Sequence, residues 1–270
     1  LFTARPYGGV PPPLPAVSEY PVERNGRGKL LARYEIRLVD GRLEHYRRLP
    51  PDEQANSGSE AWHAYLETEW PCIGYNNRTL SDMFNPEATR RFLEITHERY
   101  NAAVGRHFGR AVPAIFTDEP HPHVKRPLPE ASSREDVLLP FTDDFAESFR
   151  KAYGEDLLDS LPELVWDLAD GRASIARWRY HDHAAERFVT GFLEPIRDWC
   201  DVHGIASTGH LVEESTLDEQ TVYDGEAMRG YRAMQLPGID ILGMSLQLNT
   251  AKQAQSAARQ FGRPGVVSEL

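Results

Sequence analysis

The segment AVPAIFTDEPHPH (Ala111–His123) passes directly from an apolar run into two adjacent acids, Asp118 and Glu119. A short apolar run of this kind, bounded by proline, is typical of a buried strand. The carboxyl ends of parallel strands meet at one edge of an α/β fold, and polar residues placed there face a common pocket. The segment therefore predicts a parallel strand that delivers Asp118 and Glu119 to a shared edge.

The rest of the chain alternates between helical and strand patterns. Asn85-Pro86 predicts a helix start, with an N-cap residue followed by proline at the first helical position. Gly204 predicts the C-cap of a later helix. Apolar segments that end in polar residues recur along the sequence at Tyr65–Trp70, Ile115–Glu119, Ile205–Glu213 and Val266–Glu269. This alternation favours a mostly parallel sheet with crossover helices. We predict an α/β chain with an incomplete (β/α)8 TIM-barrel-like catalytic region and an N-terminal β-rich extension.

The chain divides into two parts on this interpretation. Residues 1–60 form the extension, in which alternating residues around Asp40-Gly41 predict a β-hairpin followed by a loop. Residues 61–270 form the barrel region, truncated near its seventh strand. The chain begins at Leu1 rather than methionine and stops just after a predicted strand. We therefore expect it to be a piece of a longer polypeptide whose flanking domains lie outside it.

Composition argues against several classes of partner. The chain has 30 Lys and Arg against 41 Asp and Glu, a net charge of -11, so it repels nucleic-acid phosphates and anionic membranes. No apolar run approaches the roughly 18 residues of a membrane span. The two cysteines, Cys72 and Cys200, are too few for a disulfide framework and too far apart for a CxxC motif. The localisation is left open by these observations.

Two carboxylates at the predicted strand ends point to a chemistry. Glu119 and Glu269 each follow an apolar run, and in a barrel they would face each other across the mouth. A pair of carboxylates across a pocket is what glycoside hydrolysis requires, one as the general acid and one as the base or nucleophile. We predict that pair as catalytic. Residues that could contact a sugar through stacking or hydrogen bonds are Trp70, Asp118, His121, His210 and Glu213.

Several longer segments carry a resemblance to a known family. They are NPEATRRFLEITHERY, IFTDEP, FLEPIRDWCDVHGIASTGHLVEE, MQLPGIDIL and KQAQSAARQFGRPGVVSEL. Over residues 61–270 the chain resembles the catalytic barrel of large bacterial α-L-rhamnosidase-like glycoside hydrolases, within the wider β-galactosidase-like superfamily. The resemblance implies an acid/base after the fourth strand and a second carboxylate after the seventh, which correspond here to Glu119 and Glu269. It also implies a carbohydrate substrate and makes calcium an option, although no cofactor is predicted to be required.

Two other functions fit the same residues. A metal-dependent hydrolase would use His121, His123 and His210 as ligands, with Glu119 as a ligand or base. A non-catalytic sugar-binding module would bind carbohydrate without cleaving it. Each candidate also has a purely structural interpretation, since an acid at a strand end can simply form an ion pair and a histidine beside Gly209 can be a hydrogen-bonded core residue.

Overall fold

The computed structural model describes residues 2–4, 28–68, 78–241 and 248–269. Its strands, in chain order, are β1 (Phe2–Ala4), β2 (Lys29–Val39), β3 (Arg42–Arg48), β4 (Glu60–Leu66), β5 (Ala114–Thr117), β6 (Val137–Leu138), β7 (Ala206–Gly209), β8 (Leu236–Asp240) and β9 (Val267–Glu269). Its α-helices are α1 (Pro86–Ile95), α2 (His97–Val104), α3 (Phe145–Tyr153), α4 (Ile175–Phe188), α5 (Glu194–His203), α6 (Leu217–Val222), α7 (Ala227–Ala233) and α8 (Leu248–Gln260). None of the helices described is long and apolar enough to cross a membrane.

These elements form two compact units. The first unit comprises Leu1–Leu80 and His123–His183, and the second comprises Ser81–Pro122 and Ala184–Leu270. The chain therefore leaves the second unit after Pro122 and returns to it at Ala184. Each unit has a sheet of its own.

The first unit contains an antiparallel sheet with the strand order β3-β2-β4-β1-β6. Strands β2 and β3 form a hairpin whose turn residues Asp40 and Gly41 have φ values of 50° and 75°. Positive φ at both central residues matches the right-handed twist of the strands, which is why Asp-Gly is favoured at such turns. The predicted hairpin is confirmed.

Aromatic side chains fill the core of this unit. Trp62 lies between Tyr34 and Trp166, with ring centroids 5.5 Å and 5.3 Å away, and all three side chains are buried. Burial of an aromatic side chain of this size contributes roughly 1.5–3 kcal/mol. The indole nitrogen of Trp166 donates to the backbone carbonyl of Ala131 at 2.9 Å, so its polar atom is satisfied inside the core.

The second unit contains a parallel sheet with the order β5-β7-β8-β9. Helices α6 and α7 connect β7 to β8, and α8 connects β8 to β9, because parallel neighbouring strands need a crossover connection. Asn85 caps α1 by accepting from the backbone NH of Glu87, and Gly204 ends α5 with φ 66°, so both predicted boundaries are confirmed. The backbone makes a π-helical turn at Val189–Leu193, just before Pro195.

The prediction of a (β/α)8 barrel is wrong for the part of the chain that the structure describes. Its parallel sheet has four strands and forms half a barrel. Strand β4, which falls within the predicted barrel region, instead pairs antiparallel with β1 and β2. Trp62 and Ala64 are buried while their neighbours are partly exposed, an alternation typical of an antiparallel strand with only one buried face.

Candidate functional site

Polar side chains follow all four parallel strands of the second unit at their carboxyl ends. Strand β5 leads to Asp118 and Glu119, β7 leads to His210, and β8 and β9 end at Asp240 and Glu269. The register pairs Thr117 with Gly209 and Asp240 with Glu269, so these ends are level with one another. The sheet therefore brings residues that are distant in sequence to one edge.

Gly209 makes the close approach beneath this edge possible. Its φ is 148°, and a Cβ atom added there would lie 2.0 Å from the backbone oxygen of Thr117. A Cβ at Gly238 would lie 2.1 Å from the backbone oxygen of Gly209. Only glycine fits at these two positions without moving backbone, and His210 follows Gly209 directly at the end of β7.

His210 is the centre of the cluster. Its side chain is 1% exposed, and its Nε2 lies 3.0 Å from Glu269 Oε2 and 3.2 Å from Asp118 Oδ1. Its Nδ1 lies 3.3 Å from the backbone carbonyl of Leu211. All three partners are hydrogen-bond acceptors, so only a ring that carries a proton on both nitrogens donates to each side.

The surroundings of His210 raise its pKa above the ordinary value of 6.5. Burial acts to lower the pKa, but the hydrogen bonds to the Leu211 carbonyl and Glu269, and the charges of Asp240 and Glu214, outweigh it. Below that raised pKa, the ring is a buried cation between carboxylates. Asp118 is mostly exposed and Glu269 is partly exposed, so solvent reaches the carboxylate side of the cluster.

The raised pKa predicts a pH-dependent stability. A histidine with a raised pKa in the folded state stabilises the protein below pH 6.5, and this stabilisation is lost as the pH rises through the folded pKa. We expect His210→Gln to lower the free energy of unfolding by about 1–3 kcal/mol at pH 6 and by less at pH 8.5. Urea unfolding of both proteins with chelator present measures this difference. An equal loss at both pH values would contradict a charged His210.

Glu119 lies at the open side of the same edge. It is exposed, and its φ of 42° is in the left-handed region, which turns the chain sharply after β5. The backbone carbonyl of Glu119 lies 2.9 Å from Nδ1 of His121, whose ring meets that of Tyr223 edge-on at 5.8 Å. Potential ligand atoms of Glu119, His210 and Asp240 lie within 4.8 Å of one another. Both predicted catalytic carboxylates therefore have an oxygen within 4.8 Å of a ring nitrogen of His210, and that of Glu269 is in hydrogen-bond contact.

The two adjacent glutamates after β7 have different environments. Glu213, predicted as a substrate contact, is exposed and has a φ of 49°. Glu214 is 4% exposed, and burial raises its pKa although hydrogen bonds from Tyr231, Asp240 and Leu211 act to lower it. Sequence reasoning missed both Glu214 and Asp240. Asp240 is the last residue of the observed strand β8, and nothing in LVEES distinguishes the buried glutamate from the exposed one.

Two clusters in the described part of the chain place three potential metal ligands within 4.8 Å, namely Asp118, His210 and Glu269, and Glu119, His210 and Asp240. Neither includes His121 or His123, and His123 belongs to the first unit. Calcium takes six to eight oxygen ligands, whereas each cluster has one imidazole nitrogen among three donors. The donor sets therefore do not fit calcium on their own.

One predicted contact residue, Trp70, lies outside the described residues. The other predicted site residues all lie in the second unit; they are Glu119, Glu269, Asp118, His121, His210 and Glu213. The structure gathers Asp118, Glu119, His210 and Glu269 at one edge, places His121 beside the backbone of Glu119, and leaves Glu213 exposed.

Comparison with known proteins gives a similarity of fold but none of sequence family. The sequence matches no family model and no curated protein. The fold is similar to part of a solved rhamnosidase from Novosphingobium sp. PP1Y, with a TM-score of 0.54 and 16% sequence identity. That match covers 84% of this chain and 23% of the rhamnosidase chain, so this chain spans about a quarter of the length of its structural relative. The similarity shows that the two share a fold over this region.

Proposed function

We propose that this chain carries part of the active site of a glycoside hydrolase that cleaves O-glycosidic bonds with a pair of carboxylates. The observation that carries the proposal is the convergence of Glu119 and Glu269 on His210 at the carboxyl edge of a parallel sheet. The fold similarity to a rhamnosidase supports the same class of reaction and makes an α-L-rhamnoside the first substrate to test.

The different environments of the two carboxylates suit them to different catalytic roles. Glu119 is exposed beyond the end of β5, where it can reach a glycosidic oxygen and protonate the leaving group. Glu269 accepts a hydrogen bond from the His210 imidazolium, which holds the carboxylate in place for attack on the sugar or on water. A separation of the two carboxyl groups of roughly 5 Å in the substrate complex favours retention, and roughly 6.5–9.5 Å favours inversion.

The test is hydrolysis of a panel of aryl glycosides, including α-L-rhamnoside and β-D-galactoside, by the full-length protein with and without chelator. We expect the release of aryl alcohol from at least one substrate, at a rate that chelator does not change. Loss of activity with chelator and its recovery on adding metal would favour a metal-dependent hydrolase that uses one of the two His210 clusters. Sugar binding without cleavage would favour a non-catalytic binding module and would contradict the proposal.

A further inference from the structure

Glu214 is a buried carboxylate that receives three hydrogen bonds from three parts of the second unit. Its Oε2 accepts from the Tyr231 hydroxyl at 2.6 Å and from the Leu211 backbone NH at 3.3 Å. Its Oε1 accepts from the Asp240 backbone NH at 3.1 Å. One side chain therefore connects the loop after β7, helix α7 and the end of β8.

The backbone of Glu214 is fixed as well. Its carbonyl accepts from the side-chain amides of Gln220, on α6, and Gln253, on α8, at 2.8 Å and 3.2 Å. The two amides also bond to each other at 3.0 Å, and Gln220 accepts from the backbone NH of Ala227 at 3.1 Å. A residue held at both ends in this way has little freedom to move, so its carboxylate is a fixed point beneath the candidate site.

We propose that Glu214 is a positioning residue of the candidate active site. It fixes the backbone at Leu211, directly after His210, and at Asp240, on the neighbouring strand, and thereby sets where His210 and Asp240 stand relative to Glu119 and Glu269. This inference rests on the proposed function. Glu214 acts through its neighbours, because its side chain is buried and its oxygens are occupied by the three donors.

The chemistry of the three donors explains why a carboxylate is needed. An ionised carboxylate offers two acceptor oxygens, which here receive one hydroxyl and two backbone NH groups. Glutamine has nearly the same shape, but its NH2 group would face the backbone NH of Leu211 or of Asp240. Two donors cannot bond to each other, so the NH2 group and that backbone NH would both be unsatisfied. The buried charge is costly, and the three hydrogen bonds and the nearby His210 offset part of that cost.

The experiment compares Glu214→Gln and Tyr231→Phe with Glu35→Gln in the full-length protein. Glu35 is a matched control, because its carboxylate is 3% exposed, accepts from Arg47, Asn56 and Ser59, and lies in the other unit. We expect Glu214→Gln to lower kcat on the best aryl glycoside about 10- to 100-fold, with KM changed less than about threefold. Tyr231→Phe should lower kcat about three- to tenfold, and Glu35→Gln should lower only the unfolding temperature.

Hydrogen exchange at the Leu211 and Asp240 amides gives a readout that is independent of activity. Exchange at both should accelerate at least about tenfold in Glu214→Gln and stay unchanged in Glu35→Gln. If the wild-type protein is active and the folded Glu214→Gln variant keeps its kcat, or keeps slow exchange at both amides, this inference alone is overturned. If that variant does not fold, a Tyr231→Phe variant with unchanged kcat does the same. A wild-type protein that cleaves no glycoside overturns the proposed function instead.

Discussion

Replacing Glu119 with glutamine in the full-length protein is expected to lower kcat/KM for aryl glycosides with poor leaving groups by about 10²-fold or more. General acid catalysis contributes typically 10²–10⁴-fold, and glutamine retains the size of the side chain without a transferable proton. Glu119 is exposed at a strand end, so its replacement should leave the unfolding temperature within error of the wild type. Steady-state kinetics and thermal unfolding of the same preparations measure the two effects.

The leaving group makes this prediction specific to a general acid. A dinitrophenyl leaving group departs without protonation, so the loss in Glu119→Gln should shrink to about tenfold or less on dinitrophenyl glycosides. Glu94→Gln is the control, because Glu94 is an exposed glutamate of the same unit that pairs with Arg91 on α1. An equal loss on both kinds of substrate would mean that Glu119 contributes to binding or to attack rather than to protonation.

Local sequence patterns were enough to predict the parts of the fold that depend on neighbouring residues. The Asp40-Gly41 hairpin, the Asn85 cap and the Gly204 helix end follow from backbone preferences of single residues. The strand ahead of Asp118 was also predicted, because a short apolar run followed by acids has few other interpretations. These features predict where polar residues leave the sheet.

The pairing partners of each strand could not be read in the same way. The prediction for β4 relied on the aromatic and acidic residues that follow it. In the structure, burial alternates along the strand, with Trp62 and Ala64 buried and their neighbours partly exposed. That alternation indicates a sheet with one exposed face, whereas barrel strands are buried on both faces. Closure of a barrel depends on contacts between residues far apart in sequence, and no local pattern encodes it.

The deeper half of the candidate site was hidden for a related reason. The positive φ of Glu213 turns the chain, so that Glu214 rather than Glu213 faces inward. Periodicity rules assume a regular helix or strand and cannot predict the direction of a side chain after such a turn. Glu119 and Glu269 were identified as candidates from the sequence, whereas the buried Glu214 was identified only from the structure.

Replacing Glu269 with alanine is expected to lower kcat/KM by about 10³-fold or more, the largest loss among the single variants considered. The change removes the group that would attack the sugar or activate water, and it leaves the His210 imidazolium without one of its two carboxylates. Asp118→Asn is the matched comparison, since Asp118 is the other carboxylate at His210 Nε2. It should cost about tenfold, because its exposed side chain orients His210 without contacting the reacting carbon.

Azide and product stereochemistry then assign the role of Glu269. A small anion can occupy the space that the alanine variant opens, so azide should restore cleavage of a dinitrophenyl glycoside and yield a glycosyl azide. The wild-type product, followed by proton NMR before mutarotation, distinguishes the two mechanisms: retention makes Glu269 the nucleophile, and inversion makes it the base. A Glu269→Ala variant with wild-type kcat/KM would remove it from catalysis and leave the ion pair with His210 as its role. The site would then need a different attacking group. Asp240, whose carboxylate has an oxygen within 4.8 Å of ligand atoms of Glu119 and His210, would be the next residue to replace.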